Sequence, residues 1–383
     1  MSLITESKAL ADFCHEQKGE PFITVDTEFL RESTYWPKLC LVQLGGAQRA
    51  VAVDVLAKGI DIQPLLDLMA DGSIIKVFHA GRQDMEIFHR LMDGELPHPI
   101  FDTQVAGMVS GFGDQVSYER LVKDILDEQV DKGSRFTDWA RRPLTDRQLE
   151  YALADVTHLR GLYVHMKQML EASGRASWLA AEMDILTDPG TYANDPEKAW
   201  MRIKSRSDNK RYLAALKELA AWREREAQAR DIPRNRMLRD EQLVEIAVHR
   251  PDSPEALSRT RGVSADMARG KLGDGILKAI EAAANLPREA LPSPPKRPVI
   301  PPGLGPVVEL LKVLLKARCE AHDVAQKLVA NTSDLEQIAA DDQADVAALK
   351  GWRREIFGED ALKLKHGRLA LTLEAQSVTV IER

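Results

Sequence analysis

The 383-residue sequence predicts an α/β domain built on a mixed sheet, followed by two all-helical modules. Three observations carry that reading. Strand and helix signals alternate up to about residue 170, and beyond residue 200 only helical periodicity is visible. The charge also reverses, from net −9 over residues 1–160 to net +5 over residues 200–285. Segments of opposite charge mark domains with separate tasks.

The first strand is expected at Phe22–Phe29 (FITVDTEF), followed by Leu39–Leu44 (LCLVQL), Ala50–Val55 and Ile74–His79. Each is a short aliphatic or β-branched run bounded by Gly, Asp or Pro. Helical patterns follow at Ile62–Met69 and Asp84–Leu91. A long helix is expected from about Asp146 to Glu171, opened by a Thr145-x-x-Gln148 capping box. Turn formers at Thr187–Asp195 mark a soft boundary. Farther on, Pro233 with Arg234 and Arg236 separates one helix from the next, and Asp240 is positioned to cap the second. Trp222 lies at helical spacing from Leu216 and Leu219, which marks it as core rather than as a base-stacking platform.

Eight of the twenty residues in 287–306 are proline, which makes that stretch an extended, semi-rigid spacer. On its two sides Leu243, Ile246, Ala247 and Leu257 share their mutual spacing with Leu335, Ile338, Ala339 and Leu349, as one helical module present twice would. The expected division is therefore 1–190, 200–286, the spacer 287–306, and 307–383.

Composition excludes several classes. An apolar share of 44% is too high for a disordered or collagen-like chain. No apolar run approaches the roughly 20 residues that span a bilayer, so no membrane role is expected. The opening MSLITESKALADFC mixes acids and polar groups, unlike a signal peptide. Cys14, Cys40 and Cys319 are far apart and in no zinc-like spacing, so a reducing cytoplasm is expected. Nothing marks an obligate protein partner. The overall net charge of −7 argues against a nucleic-acid partner only until the chain is divided, because the helical segment is basic.

Three places in the first domain carry chemistry. Strand alternation puts Asp26 and Glu28 on one face of their strand. Asp84 lies where a strand hands over to a helix. Tyr151 and Asp155 are four residues apart on the long helix and share a face. Taken singly, these read as a strand end, a helix cap and a tyrosine at the core edge beside a solvated aspartate. Together, four carboxylates could build an all-oxygen site for hard divalent ions such as Mg²⁺ or Mn²⁺. Two such ions suit phosphoryl displacement, and a tyrosine beside a ligand could orient the attacking water.

These residues, Asp26-Thr27-Glu28, Asp84 and Tyr151-x-x-x-Asp155, resemble the three exonuclease motifs of the DEDD superfamily in its tyrosine subgroup. Their context, VDTEFLRESTYWPKLCLVQLG, KVFHAGRQDMEIF, FDTQVAG and TDWARRPLTDRQLEYALADVTHL, is similar to the ribonuclease D family. Residues 205–285 resemble the helical nucleic-acid-binding domain shared by helicases and that family (HRDC), and 306–383 a diverged copy. The resemblance implies a ribonuclease H-like fold, Asp26, Glu28, Asp84 and Asp155 as metal ligands, and Tyr151 as the group that positions water. Where relatives often carry an asparagine before the second-motif aspartate, this chain reads His79-Ala80-Gly81. His79 is expected to be structural, with substrate contact as the alternative. His158 reads as a helix-surface residue and Asp102 as a turn or cap.

The expected activity is a 3′→5′ exoribonuclease with two divalent ions, trimming tRNA precursors and other structured RNA to nucleoside 5′-monophosphates. Arg202, Lys204, Arg206, Lys210 and Arg211 are candidate phosphate contacts, with a solvated helix end as the alternative. Two other functions fit the residues: a DNA 3′→5′ exonuclease, and a non-catalytic RNA-binding scaffold. The presence of all four carboxylates and the tyrosine argues against the scaffold.

Overall fold

The computed structural model describes residues 3–130, 133, 137–205, 207–294 and 301–383. Arg206 and part of the proline spacer therefore lie outside the described residues. The first region runs β1 (Leu3–Ile4), α1 (Ser7–Glu16), β2 (Phe22–Leu30), β3 (Lys38–Gly45), β4 (Ala50–Val53), α2 (Gln63–Ala70), β5 (Ile75–Phe78), α3 (Arg82–Leu91), β6 (Ile100–Asp102), α4 (Thr103–Val109) and α5 (Tyr118–Leu121). The long helix α6 (Asp146–Ala172) and α7 (Ala176–Leu186) follow.

The sheet has six strands in the order β1-β4-β3-β2-β5-β6. β1 pairs parallel with β4, and β5 pairs parallel with β2 and β6, whereas β3 and β4 are antiparallel. The expected mixed sheet is what forms. Its central strands carry buried apolar residues on both faces, among them Ile23, Val25, Leu41, Val42, Val77 and Phe78. β1, α1, β6 and α4 were not anticipated. β1 and β6 have only two and three residues, too short to show a period.

The capping box forms as expected. The Thr145 hydroxyl accepts from Gln148 N, and the Gln148 side chain accepts from Thr145 N. α6 is fastened to the sheet at a close approach, where the Thr24 hydroxyl donates to Val156 O at 2.7 Å. Gly45 permits it, since a Cβ there would lie 2.1 Å from Thr24 Oγ1 and 2.9 Å from Val156 O.

Between Tyr192 and Arg297 the described elements are helical: α8 (Lys210–Arg230), α9 (Arg234–Met237), α10 (Asp240–His249), α11 (Pro254–Ser258), α12 (Ala265–Arg269) and α13 (Lys271–Ala284). The described residues of this stretch form a second compact unit together with Phe29–Lys38, which runs from the end of β2 to the first residue of β3. Within it, Asp231 accepts from the backbone N–H of Tyr35 and of Trp36, each at 3.0 Å. The Tyr35 hydroxyl donates to Glu224, and burial pushes that phenol up to about 12. Trp222 is half-buried against the core of α8 and α13, as expected. Asp240 is not a cap. It is the first residue of α10, the Gln242 side chain accepts from Arg239 N instead, and Asp240 pairs with the buried Arg223 at 2.8 Å.

The chain then runs α14 (Gly305–Ala321), α15 (Gln326–Val329), α16 (Thr332–Ala340), α17 (Gly351–Arg353), α18 (Glu359–Lys365), β7 (Leu369–Glu374) and β8 (Ser377–Glu382). Helices fill it to Lys365, and an antiparallel hairpin that the helical reading did not anticipate closes it. Leu243, Ile246, Ala247 and Leu257 are core residues of one helical cluster, and Leu335, Ile338, Ala339 and Leu349 of the other. The residues of matched spacing are thus buried in both stretches.

Residues 301–383 belong to the same compact unit as the sheet. Trp178 of α7 stacks on Trp352 with centroids 4.5 Å apart and planes at 9°. Arg353 pairs with the buried Glu182. Arg175 donates to Val109 O at 2.8 Å and to His322 O at 2.6 Å.

Candidate active site

The sheet and α6 bring Asp26, Glu28 and Asp155 together, with one carboxylate oxygen of each within 4.8 Å of the others. The sequence explains why. β2 is buried over Phe22–Val25, which anchors the strand, and the acidic pair follows as the strand leaves the core. Asp155 comes over that face because its neighbour Val156 is the residue that meets Thr24 and Gly45.

Asp84 is not within that close group of three. It is the third residue of α3 and is buried, and the Thr27 hydroxyl donates to it. It is therefore not the helix cap that its position alone suggested; the cap position is Gly81.

Charge is concentrated here at high cost. Burial pushes the Asp26 carboxyl well above the usual carboxylate range, and the negative charges of Asp155, Asp84 and Glu28 push it further. Burial raises Asp84 to about 6, opposed by the hydrogen bond from Thr27. A half-buried set of carboxylate oxygens with mutual repulsion is what a hard divalent cation relieves, so the donor set fits such an ion.

Around the carboxylates stand Tyr151, expected to orient the attacking water, and two further aromatic residues, Tyr118 and His79. Tyr151 packs near Trp139, with ring centroids 6.2 Å apart. The Tyr118 hydroxyl donates to the backbone oxygen of Asp155, and burial raises that phenol, with the charges of Asp155 and Asp26 adding to the effect. His79 has its Nδ1 3.0 Å from Thr103 Oγ1 and its ring edge-on to Tyr118 at 5.4 Å. Burial lowers its pKa, which keeps it neutral.

Asp102 caps α4, as expected, by accepting from Gln104 N at 2.8 Å and Val105 N at 3.2 Å. It also accepts from Ala80 N at 3.1 Å and Gly81 N at 2.8 Å, fixing the turn that launches the helix of Asp84. Ala80 holds a positive φ of 55° there, an uncommon conformation for a residue with a Cβ. The FDTQ context was the available signal for this second task. His158 lies on the surface of α6, with its Nε2 2.7 Å from Glu128.

The basic candidates belong to the helical unit. Arg202, Lys204, Lys210 and Arg211 are all exposed. Arg202 donates to Asn194 Oδ1 at 3.3 Å, and Arg211 donates to Leu286 O at 2.9 Å, so the second is partly committed to joining α8 to the end of α13.

Comparison with known proteins agrees with this geometry. A 3′→5′ exonuclease family matches residues 1–171, and the HRDC domain matches residues 213–280. Ribonuclease D of Granulibacter bethesdensis is 49% identical over 381 residues, covering 99% of this chain and 96% of that protein. Ribonuclease D of Nitrobacter hamburgensis is 50% identical over 385 residues, covering 100% of both. The crystal structure of Escherichia coli ribonuclease D, described as an exoribonuclease involved in structured RNA processing, superposes with a TM-score of 0.82. It is 32% identical, with 95% of this chain and 98% of that chain covered. Full-length identity near one half, the shared fold and the acidic cluster lead to one conclusion: the chain belongs to the ribonuclease D family and is a 3′→5′ exoribonuclease.

Proposed function

We propose that this exoribonuclease trims structured RNA, tRNA precursors among it, and releases nucleoside 5′-monophosphates with two divalent ions, Mg²⁺ or Mn²⁺. The observation that carries the reading is the group Asp26, Glu28 and Asp155, with Asp84 close enough to raise the Asp26 pKa. These four carboxylates would hold the ions. When bound, such ions supply charge neutralisation at the reacting phosphate and activate water for in-line attack.

The remaining work belongs to side chains. Tyr151, one helical turn before Asp155, hydrogen-bonds and orients the attacking water in this reading. Thr27 holds Asp84, and Tyr118 holds the α6 backbone at Asp155. Arg202, Lys204, Lys210 and Arg211, with Arg206, contact RNA phosphates in this reading, supported by the net +5 of residues 200–285. His79, whose ring meets Tyr118 edge-on, is a structural support of the site in this reading, with substrate contact as the alternative. The division into 1–190, 200–286, 287–306 and 307–383 is retained as a functional one: the first part cuts, and the helical parts hold RNA. Cys14, Cys40 and Cys319 are buried and in no disulfide among the described residues, which suits a reducing cytoplasm.

The test compares RNA with a structured 3′ region and DNA of the same sequence, with Mg²⁺ or Mn²⁺ and with or without EDTA, for wild type and Asp155→Asn. Trimming of RNA that stops with EDTA and falls at least about a hundredfold in the variant is expected. Equal trimming by both proteins would overturn the mechanism, and faster trimming of DNA would overturn the substrate.

A further inference from the structure

One buried side chain beside the site has no task in the mechanism above. Gln43 of β3 is fully buried, and neither its amide nitrogen nor its amide oxygen meets a hydrogen-bond partner among the described residues. A buried amide left this way is destabilising, and a methionine or leucine would fill a similar volume without that cost. Its place in the sheet gives a reason for keeping it.

β2 and β3 are neighbours in the sheet, and only residues 31–37 join them. That is too short for the crossover a parallel pair requires, so the two strands run antiparallel. Gly45 lies opposite Thr24, because a Cβ on it would come within 2.1 Å of Thr24 Oγ1. The same Cβ would meet Val156, so this is the face that α6 covers. Side chains alternate along a strand. Two residues back from Gly45 is Gln43, and two residues on from Thr24 is Asp26. The amide and the carboxylate therefore sit opposite each other on the covered face, with Asp155 arriving from above beside Val156.

We propose that Gln43 is a positioning residue for the divalent-ion site. Its amide N–H is held in reserve for the Asp26 carboxylate and takes up that hydrogen bond when a cation occupies the site, fixing Asp26 in its ligating orientation. Hydrogen bonds of this kind to a ligating carboxylate set its orientation and change metal affinity by about 10- to 100-fold. The inference rests on Asp26, Glu28 and Asp155 being ligands.

The test uses the full chain as wild type, Gln43→Met, Gln43→Leu and Asp155→Asn. Mn²⁺ binding is followed by calorimetry, thermal unfolding is measured in EDTA, and RNA trimming is measured as a function of Mn²⁺ concentration. Without metal, Gln43→Met is expected to melt at or above the wild-type temperature, because an unpartnered amide has been removed. Its Mn²⁺ affinity is expected to fall about tenfold or more, with trimming recovered at high Mn²⁺. Gln43→Leu should behave alike. Mn²⁺ affinity within twofold of wild type in either folded variant would overturn the proposal. So would a lower melting temperature with unchanged affinity, which is the signature of a packing role alone. Wild type and Asp155→Asn binding Mn²⁺ equally would instead overturn the ligand assignment itself, and this inference with it.

Discussion

Asp26 and Asp84 make the site sensitive to protons in a direction that can be worked out. Burial raises both above the ordinary carboxyl value, Asp84 to about 6. Between the unfolded value of ~4 and the raised folded value, the native state therefore binds more protons than the unfolded chain. Their contribution to stability falls as pH rises through that window, and that of Asp84 is lost as pH passes about 6. A bound cation reverses that deficit. Mn²⁺ is accordingly expected to raise the melting temperature more at pH 7.5 than at pH 5, where protons compete for the same oxygens. Thermal unfolding at the two pH values, with Mn²⁺ and with EDTA, checks this, and an equal shift at both would sink it. The pairing of Asp26 with Glu28 was legible because strand alternation is local. The hydrogen bond from Thr27 to Asp84 was not, since it joins residues 57 positions apart.

At the scale of elements, the site depends on how closely α6 approaches the strands. Gly45 offers no side chain to chemistry, yet a Cβ there would meet both Thr24 Oγ1 and Val156 O. Gly45→Ala is expected to lift α6 from β2 and β3 and to separate Asp155 from Asp26 and Glu28. A displacement near 1 Å costs roughly a hundredfold in rate. Steady-state trimming by a variant that remains folded by circular dichroism measures this; wild-type activity would show that the approach is not needed. The helix itself was legible, because Thr145 and Gln148 announce its start and apolar residues recur at its period. Its covered strand face was not, because nothing local tells Gly45 which helix will lie over it. The two-residue β1 and three-residue β6 escaped detection for a related reason: their strand identity comes from pairing with β4 and β5.

At the scale of the molecule, residues 301–383 fold into the same unit as the sheet. Arg353 and Glu182 hold them there, with side chains 11% and 9% exposed. Arg353→Ala leaves a buried carboxylate without its cation, and a loss of about 3–5 kcal/mol is expected. Urea unfolding of the full chain measures it, and a loss below about 1 kcal/mol, the usual worth of an exposed pair, would show that the contact is peripheral. Sequence alone determined what is periodic or local: the longer strands and helices of the first domain, the change of charge between segments, and the residue types that suit a divalent ion. Tertiary structure decided what depends on distant chain segments meeting. It left Asp84 outside the closest group, gave Asp102 a second turn to hold, placed Gln43 opposite Asp26 and packed the final module against α7. The reason is physical: periodicity is written within a few residues, whereas burial, charge repulsion and close approach exist only where separate elements pack.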